Sequence, residues 1–312
     1  MGGAITILRP VPIFPERAFV FSALRWITAA AFTVGLGGCA AEPARGPIVV
    51  VDDAGDTVRL ARPASRVASL IPATTELLFA MGRGGNVVGR TRWCDWPAAA
   101  ARVPDLGDGI VPNLEAIAAV RPDLVLLYHS AQNAAAADRL RSLGMPVVQV
   151  RSDLLADVPR IAGLLGRLLG ASAAADSLAR TFDAELAAAS VRPPSDPPRI
   201  FILVWEQPPI TVGRGSYLSE IIERAGGRNV YADLPASSGQ ISVESVVARD
   251  PDAVFTSSDT IPGFARRPEW QAVRAVRDRR FIHASGSEFS RPGPRSPAAI
   301  GRLADRIRGL PR

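Results

Sequence analysis

NLEAIAAVRPDLVLL, residues 113–127, and SVESVVARDPDAVF, residues 242–255, are one pattern written twice. In each copy a helix-capping residue, Asn113 or Ser242, stands two positions before an acidic one, Glu115 or Glu244, and an apolar helical stretch follows. A proline lies seven residues after each Glu and stops the helix, because it has no N–H to donate and its ring clashes with the preceding turn. An Asp comes next, and then a short apolar run, Leu124 to Leu127 or Ala253 to Phe255, of the length and composition of a buried strand. A second correspondence pairs Glu76-Leu77-Leu78, ending at Gly82, with Glu220-Ile221-Ile222, ending at Gly226. Helix-then-strand units repeated in this way predict two α/β lobes that are structural duplicates.

The flanks of both copies continue the alternation. Around the first lie strands at Val67 to Ile71, Val87 to Val88 and Val147 to Val150, with helices at Thr74 to Met81 and Ala134 to Leu143. Around the second lie strands at Ile200 to Val204 and Phe281 to His283, with helices at Leu218 to Ala225 and near Pro297 to Ile307. The fold class expected is α/β, with two Rossmann-like lobes over residues 48–152 and 198–312, each a mostly parallel sheet covered by helices. Between them, residues 153–192 read as helical, with a break at Gly170. Leu178, Phe182 and Leu186 recur every fourth residue and lay one apolar stripe along the second helix, which ends before Pro193-Pro194. At 1.5 Å per residue, Ala171 to Ser190 spans roughly 30 Å, enough for one long strut between the lobes.

The N-terminus carries Arg17 and Arg25, an apolar stretch from Trp26 to Leu36, and then Leu36-Gly37-Gly38-Cys39. Such a stretch fits an export signal and is shorter than the roughly 20 residues that span a bilayer. Leu-Gly-Gly-Cys resembles a bacterial lipobox, so residues 1–38 are expected to be removed, Cys39 to be lipidated, and residues 39–47 to form a tether to the membrane. A plain secretory signal with Cys39 incidental is the alternative. The chain has 36 Arg and no Lys against 30 acidic residues. Removal of residues 1–38 takes away three Arg and one Glu and leaves 33 against 29, without a basic run. That distribution offers no track for phosphates, and no nucleic acid is expected as a partner. Two cysteines, one of them Cys39, leave no disulfide framework and no cysteine-based zinc site.

Three blocks, Arg66-Val67 through Pro72-Ala73-Thr74-Thr75-Glu76-Leu77, then Cys94-Asp95-Trp96-Pro97, then Asn113-Leu114-Glu115 to Pro122-Asp123-Leu124-Val125, resemble the helical-backbone class of periplasmic binding proteins. That class serves ABC importers of cobalamin, ferric siderophores and haem. The resemblance runs through the mature chain and implies two lobes joined by one long helix with ligand in the cleft between them. Within the class the chain is most similar to the cobalamin-binding members, through Val88-Gly89 and Trp93-Cys94-Asp95-Trp96-Pro97. A broad apolar macrocycle edged with amides needs flat aromatic surfaces and a few polar anchors. The resemblance implies ligand contacts from Ala73, Trp93, Asp95, Trp96 and Tyr128 in the first lobe. From the second it implies Trp205, Glu206 and Pro208, then Glu288, Phe289 and Arg291. Core packing is the bland alternative for each aromatic, and a solvated surface for Arg291. The chain lacks the tryptophans that cobalamin-binding members carry around Asp108-Gly109 and Ser237-Ser238-Gly239.

The same likeness gives Glu115 and Glu244 a role in docking to the two permease subunits of the importer with its ATPase, alongside the helix-terminal role their position already supports. No cofactor is expected; a corrinoid is expected as transported ligand, with a ferric siderophore or haem the alternative, which Arg90, Arg92 and Arg291 keep open. The chain is expected to be a monomer. Neither histidine belongs to a metal-binding spacing: His283 reads as a structural residue within a strand, and His129, at a strand end, as a loop or cleft residue. An enzyme would need a nucleophile elbow, a carboxylate-histidine cluster or a phosphate-binding glycine loop, and the sequence has none of them.

Overall fold

The structure is a computed structural model and describes residues 46–311. The expected signal segment and the lipidation residue Cys39 lie outside the described residues. The first half opens with a hairpin of β1 (Ile48–Val51) and β2 (Thr57–Leu60). It continues as β3 (Val67–Ser69), α1 (Pro72–Ala80), β4 (Val87–Arg90), α2 (Leu114–Ala119), β5 (Leu124–Tyr128), α3 (Ala131–Ser142) and β6 (Val147–Val150). Its sheet has the order β4-β3-β5-β6, parallel throughout. Helices α4 (Asp157–Leu168) and α5 (Ser172–Ala189) follow, separated at Gly170, whose φ of 62° a residue without Cβ adopts freely.

The second half runs β7 (Arg199–Ile202), β8 (Trp205–Glu206), β9 (Pro209–Val212), α6 (Tyr217–Arg224), β10 (Arg228–Asn229), β11 (Ser238–Gln240), α7 (Val243–Arg249), β12 (Ala253–Thr256), α8 (Arg274–Arg277), β13 (Phe281–His283) and α9 (Ser296–Arg308). Its main sheet, β10-β7-β12-β13, is also parallel. Matching β3 with β7, β4 with β10, β5 with β12 and β6 with β13 superimposes one strand order on the other. The small antiparallel sheet β11-β9-β8 has no counterpart among the described residues of the first half. It takes up Trp205 and Glu206, just past the expected strand Ile200 to Val204.

The duplicated sequence pattern has a duplicated cause. Asn113 Oδ1 accepts from the Ala116 N–H at 3.0 Å, and Ser242 Oγ from the Ser245 N–H at 3.2 Å, so each helix starts on a side-chain cap. At the helix ends Arg121 and Asp250 turn the chain with φ of 44° and 38°, just before the prolines. The Asp after each proline then clamps the head of the neighbouring strand. Asp123 accepts from the Ser65 N–H at 3.0 Å and the Arg66 N–H at 2.8 Å, and Asp252 from the Arg199 N–H at 2.9 Å. In return the Arg66 guanidinium donates to the carbonyls of Val120 and Arg121, and that of Arg199 to the carbonyl of Arg249. These carbonyls lie at or just past the helix ends, where no further turn supplies a partner.

One apolar core runs through both halves. It joins Leu77, Leu78 and Leu126 of the first to Leu165, Leu168 and Phe182 of the two central helices, and to Ile202, Ile222 and Leu303 of the second. Separate clusters fill the far face of each sheet, around Leu127 and Leu140 in the first half and around Phe201 and Trp270 in the second. Phe182 is buried in α5, and Leu178 and Leu186 lie partly buried on the same core, as the four-residue spacing predicts. The 18 residues of α5 span roughly 27 Å. The helix does not stand alone, however: α4 lies against it, and α9 packs on it from the second half.

Candidate functional site

Parallel strands end together, and in both halves the loops that leave the carboxyl ends line a cavity, the usual place for ligands in open α/β sheets. In the first half a cavity of about 590 Å³ is walled by Leu70, Ala73, Trp93, Ile110 and Tyr128, from the exits of β3, β4 and β5. Ser290 and Arg291, which follow β13, complete its wall from the second half. The carboxyl ends of the two sheets therefore approach one another here. The other cavity, about 620 Å³, lies wholly on the second half, between Trp205, Glu206 and Gln207 after β7, Thr256 to Ser258 after β12, and Ile261 and Arg267.

The halves meet through charge as well as through the core. Glu76 on α1 is 1 % exposed, and its carboxylate accepts from Arg291 Nε at 2.9 Å and from Arg295 Nε and Nη2 at 2.9 and 2.7 Å. Arg291 also pairs with Asp95 and reaches the Trp93 carbonyl, 3.4 Å from Nη1. Arg295 continues to Glu288 at 2.7 Å, its guanidinium 4.9 Å above the Trp96 ring, and Arg302 closes the chain on Glu288 at 2.5 Å. Partial burial pushes the Asp95 carboxyl up, but the hydrogen bond and charge of Arg291 outweigh it and hold Asp95 below the ordinary carboxylate range. Burial, then the hydrogen bond to Asp153 at 2.6 Å and its charge, push the Tyr128 hydroxyl up to about 12, so it stays a donor.

Of the residues singled out from sequence, Ala73, Trp93, Tyr128 and Arg291 line the first cavity, and Trp205 and Glu206 the second. Trp93 and Trp205 are 58 % and 62 % exposed, unusual for side chains of that size. Asp95, Trp96 and Glu288 line neither cavity; they belong to the ion network behind the first. Pro208 sits exposed at the tip of the β8–β9 hairpin and lines neither. Phe289 is corrected outright: it is 2 % exposed and part of the central core, because a tight turn over Ser287–Phe289 points its ring inward, under Arg302 and Arg306 of α9. His283 pairs its Nδ1 with the Ser258 carbonyl at 2.7 Å, and His129 lines neither cavity. Glu115 and Glu244 are exposed at the starts of α2 and α7, with no cation within ion-pair reach among the described residues.

Several residues of the cavity walls and of the ion network behind them escaped the sequence reading. Glu76 is visible there only as half of a repeat, and nothing in its neighbourhood announces partners on the opposite half. Arg267 and Ile261 belong to a long connection with no motif. Asn133 was hidden inside a helix: it is buried in the first cavity's wall, its Nδ2 donates to the Tyr128 carbonyl at 2.9 Å, and its Oδ1 has no partner. Among the described residues no group of three or more His, Cys, Asp or Glu could hold a metal ion.

Comparison with known proteins places this geometry among relatives. The periplasmic binding protein family matches residues 67–287. The vitamin B12-binding protein of Vibrio parahaemolyticus is 27 % identical over 252 residues, covering 80 % of this chain and 92 % of its own. The crystal structure of the periplasmic vitamin B12 binding protein BtuF of Vibrio cholerae aligns with a TM-score of 0.69 at 26 % identity, over 79 % of this chain and 97 % of its own. The periplasmic haem-binding protein RhuT of Roseiflexus sp. RS-1 aligns with a TM-score of 0.70 at 25 % identity, over 78 % and 98 %.

Proposed function

The chain belongs to the periplasmic binding protein family, which binds ligands and does not transform them, and from that premise we propose that it captures a corrinoid, cobalamin foremost, between its halves and delivers it to an ABC-importer permease. The observation that carries this reading is the pair of exposed tryptophans, Trp93 and Trp205, each at the wall of one cavity and on opposite halves. Exposed Ile110, Val204 and Ile261 extend the same apolar lining. A flat macrocycle of many apolar atoms is what such a frame holds, while Tyr128, Asn133, Ser258 and Gln207 supply scattered polar groups for peripheral amides. The similarity to vitamin B12-binding proteins supports the ligand. Lipidation at Cys39 would hold the protein outside the cytoplasmic membrane, and Glu115 and Glu244 would meet the permease.

Titration calorimetry of residues 41–312 with cyanocobalamin tests the reading. Tight one-to-one binding is expected, and heat from haemin or a ferric hydroxamate alone would overturn the ligand while leaving the family. Haem is the second reading, favoured by the likeness to a haem-binding structure. It is opposed by the position of His129, which lies outside both cavity walls.

A further inference from the structure

We propose that Asp95 acts as a charge filter: by neutralising Arg291 at the wall of the cavity between the halves, it excludes carboxylate-bearing chelates and leaves the site to neutral or cationic ligands. The inference rests on this cavity being the ligand site. Among the described residues Arg291 and Arg267 are the only cations lining the two cavities, and an anionic chelate would need one of them. Neither is available. Arg267 lies 3.6 Å from Glu206. Arg291 is spent on Glu76 and Asp95, and the network around it balances at three guanidiniums, Arg291, Arg295 and Arg302, against three carboxylates, Glu76, Asp95 and Glu288. The nearby exposed Arg92 lines neither cavity.

Within that network Asp95 differs from the other two acids. Its side chain is 55 % exposed, against 2 % for Glu76 and 15 % for Glu288, so it can be changed without leaving a hole in packed structure. It contributes charge to Arg291 and nothing to the core. A carboxylate arriving from a ligand must displace Asp95 or lie beside it, and like charges a few ångströms apart repel. A carboxamide meets no such penalty.

The experiment compares wild-type protein with Asp95→Asn, which keeps the shape and the hydrogen bond but not the charge. The probes are haemin, with two carboxylates, and ferric protoporphyrin dimethyl ester, the same ring with none, each titrated by tryptophan-fluorescence quenching. Asp95→Asn should tighten haemin binding by about ten- to a hundredfold, the worth of one charge-assisted hydrogen bond, and leave the ester within about twofold. Adding Arg291→Gln to Asp95→Asn should abolish the gain, which separates it from loose binding by a damaged fold. Equal haemin affinity in wild type and Asp95→Asn, or an equal gain for the ester, would overturn the proposal. A protein that ignores cyanocobalamin yet shows the haemin-selective gain would refute the corrinoid reading and keep the filter.

Discussion

At the scale of single residues, Glu76 is the point on which the structure is least forgiving. A carboxylate with 1 % exposure, held by two guanidiniums from the other half, cannot be removed without leaving both uncompensated. Glu76→Ala is expected to destabilise the protein by about 3–5 kcal/mol, read from the midpoint of urea unfolding. Asp95 makes the milder prediction. Its folded carboxyl titrates below its unfolded value, so its pair with Arg291 adds stability above that value and loses it as pH falls through the folded one. Thermal midpoints should therefore fall below about pH 4 more steeply in wild type than in Asp95→Asn. At the cleft, Trp93→Ala and Trp205→Ala should each weaken cyanocobalamin binding by about tenfold or more, measured by calorimetry. Trp93 and Trp205, which line the two cavities, were singled out through the family resemblance rather than by a local pattern. Phe289 was singled out in the same way, and the turn that buries it is a matter of backbone direction rather than composition. Glu76 was out of reach for a different reason: its partners lie 215 and 219 positions along the chain, and no local pattern encodes such a pairing.

Among the elements, the two helix-and-strand units are the most fully written in the sequence. Cap, helix, proline, Asp and strand could be read in order, and their spacing also carried the equivalence of the sheets. What could not be read was the purpose of the Asp, which is to bind the N–H groups at the head of the adjoining strand. Asp123→Ala and Asp252→Ala should each cost about 1–3 kcal/mol, a comparable loss in both halves if the duplication is energetic as well as geometric. The β8–β9 hairpin was illegible because Pro208-Pro209 argues against a strand, yet Pro209 is the first residue of β9, a position where a strand tolerates proline. Helices α2 and α7 each offer one exposed, unpaired carboxylate at their first turn, in equivalent places on the two halves. The Glu115→Arg, Glu244→Arg double variant should bind cyanocobalamin as wild type does and fail to support uptake in a transport assay; weakened binding would refute a docking role.

For the molecule as a whole, the decisive feature is that both halves share one core. Hinged binding proteins part along an interface, but here opening would have to pull α9 off α5 and separate Glu76 from its arginines. Loaded and empty protein should therefore give indistinguishable small-angle scattering, and a clear contraction on adding ligand would contradict the shared core. The sequence announced two lobes and a connecting helix; it did not announce that α4 and α9 would join that helix in a common interior, because each apolar face reads alike whichever neighbour covers it. The same ion network has a consequence in time. In order of synthesis Glu76 comes early, while its partners Arg291 and Arg295 follow 215 and 219 positions later, just ahead of the helix that closes the core. Until then the first half holds an acid with nothing to neutralise it and an apolar face with nothing to cover it. The finished fold thus waits on residues made long after the acid they neutralise.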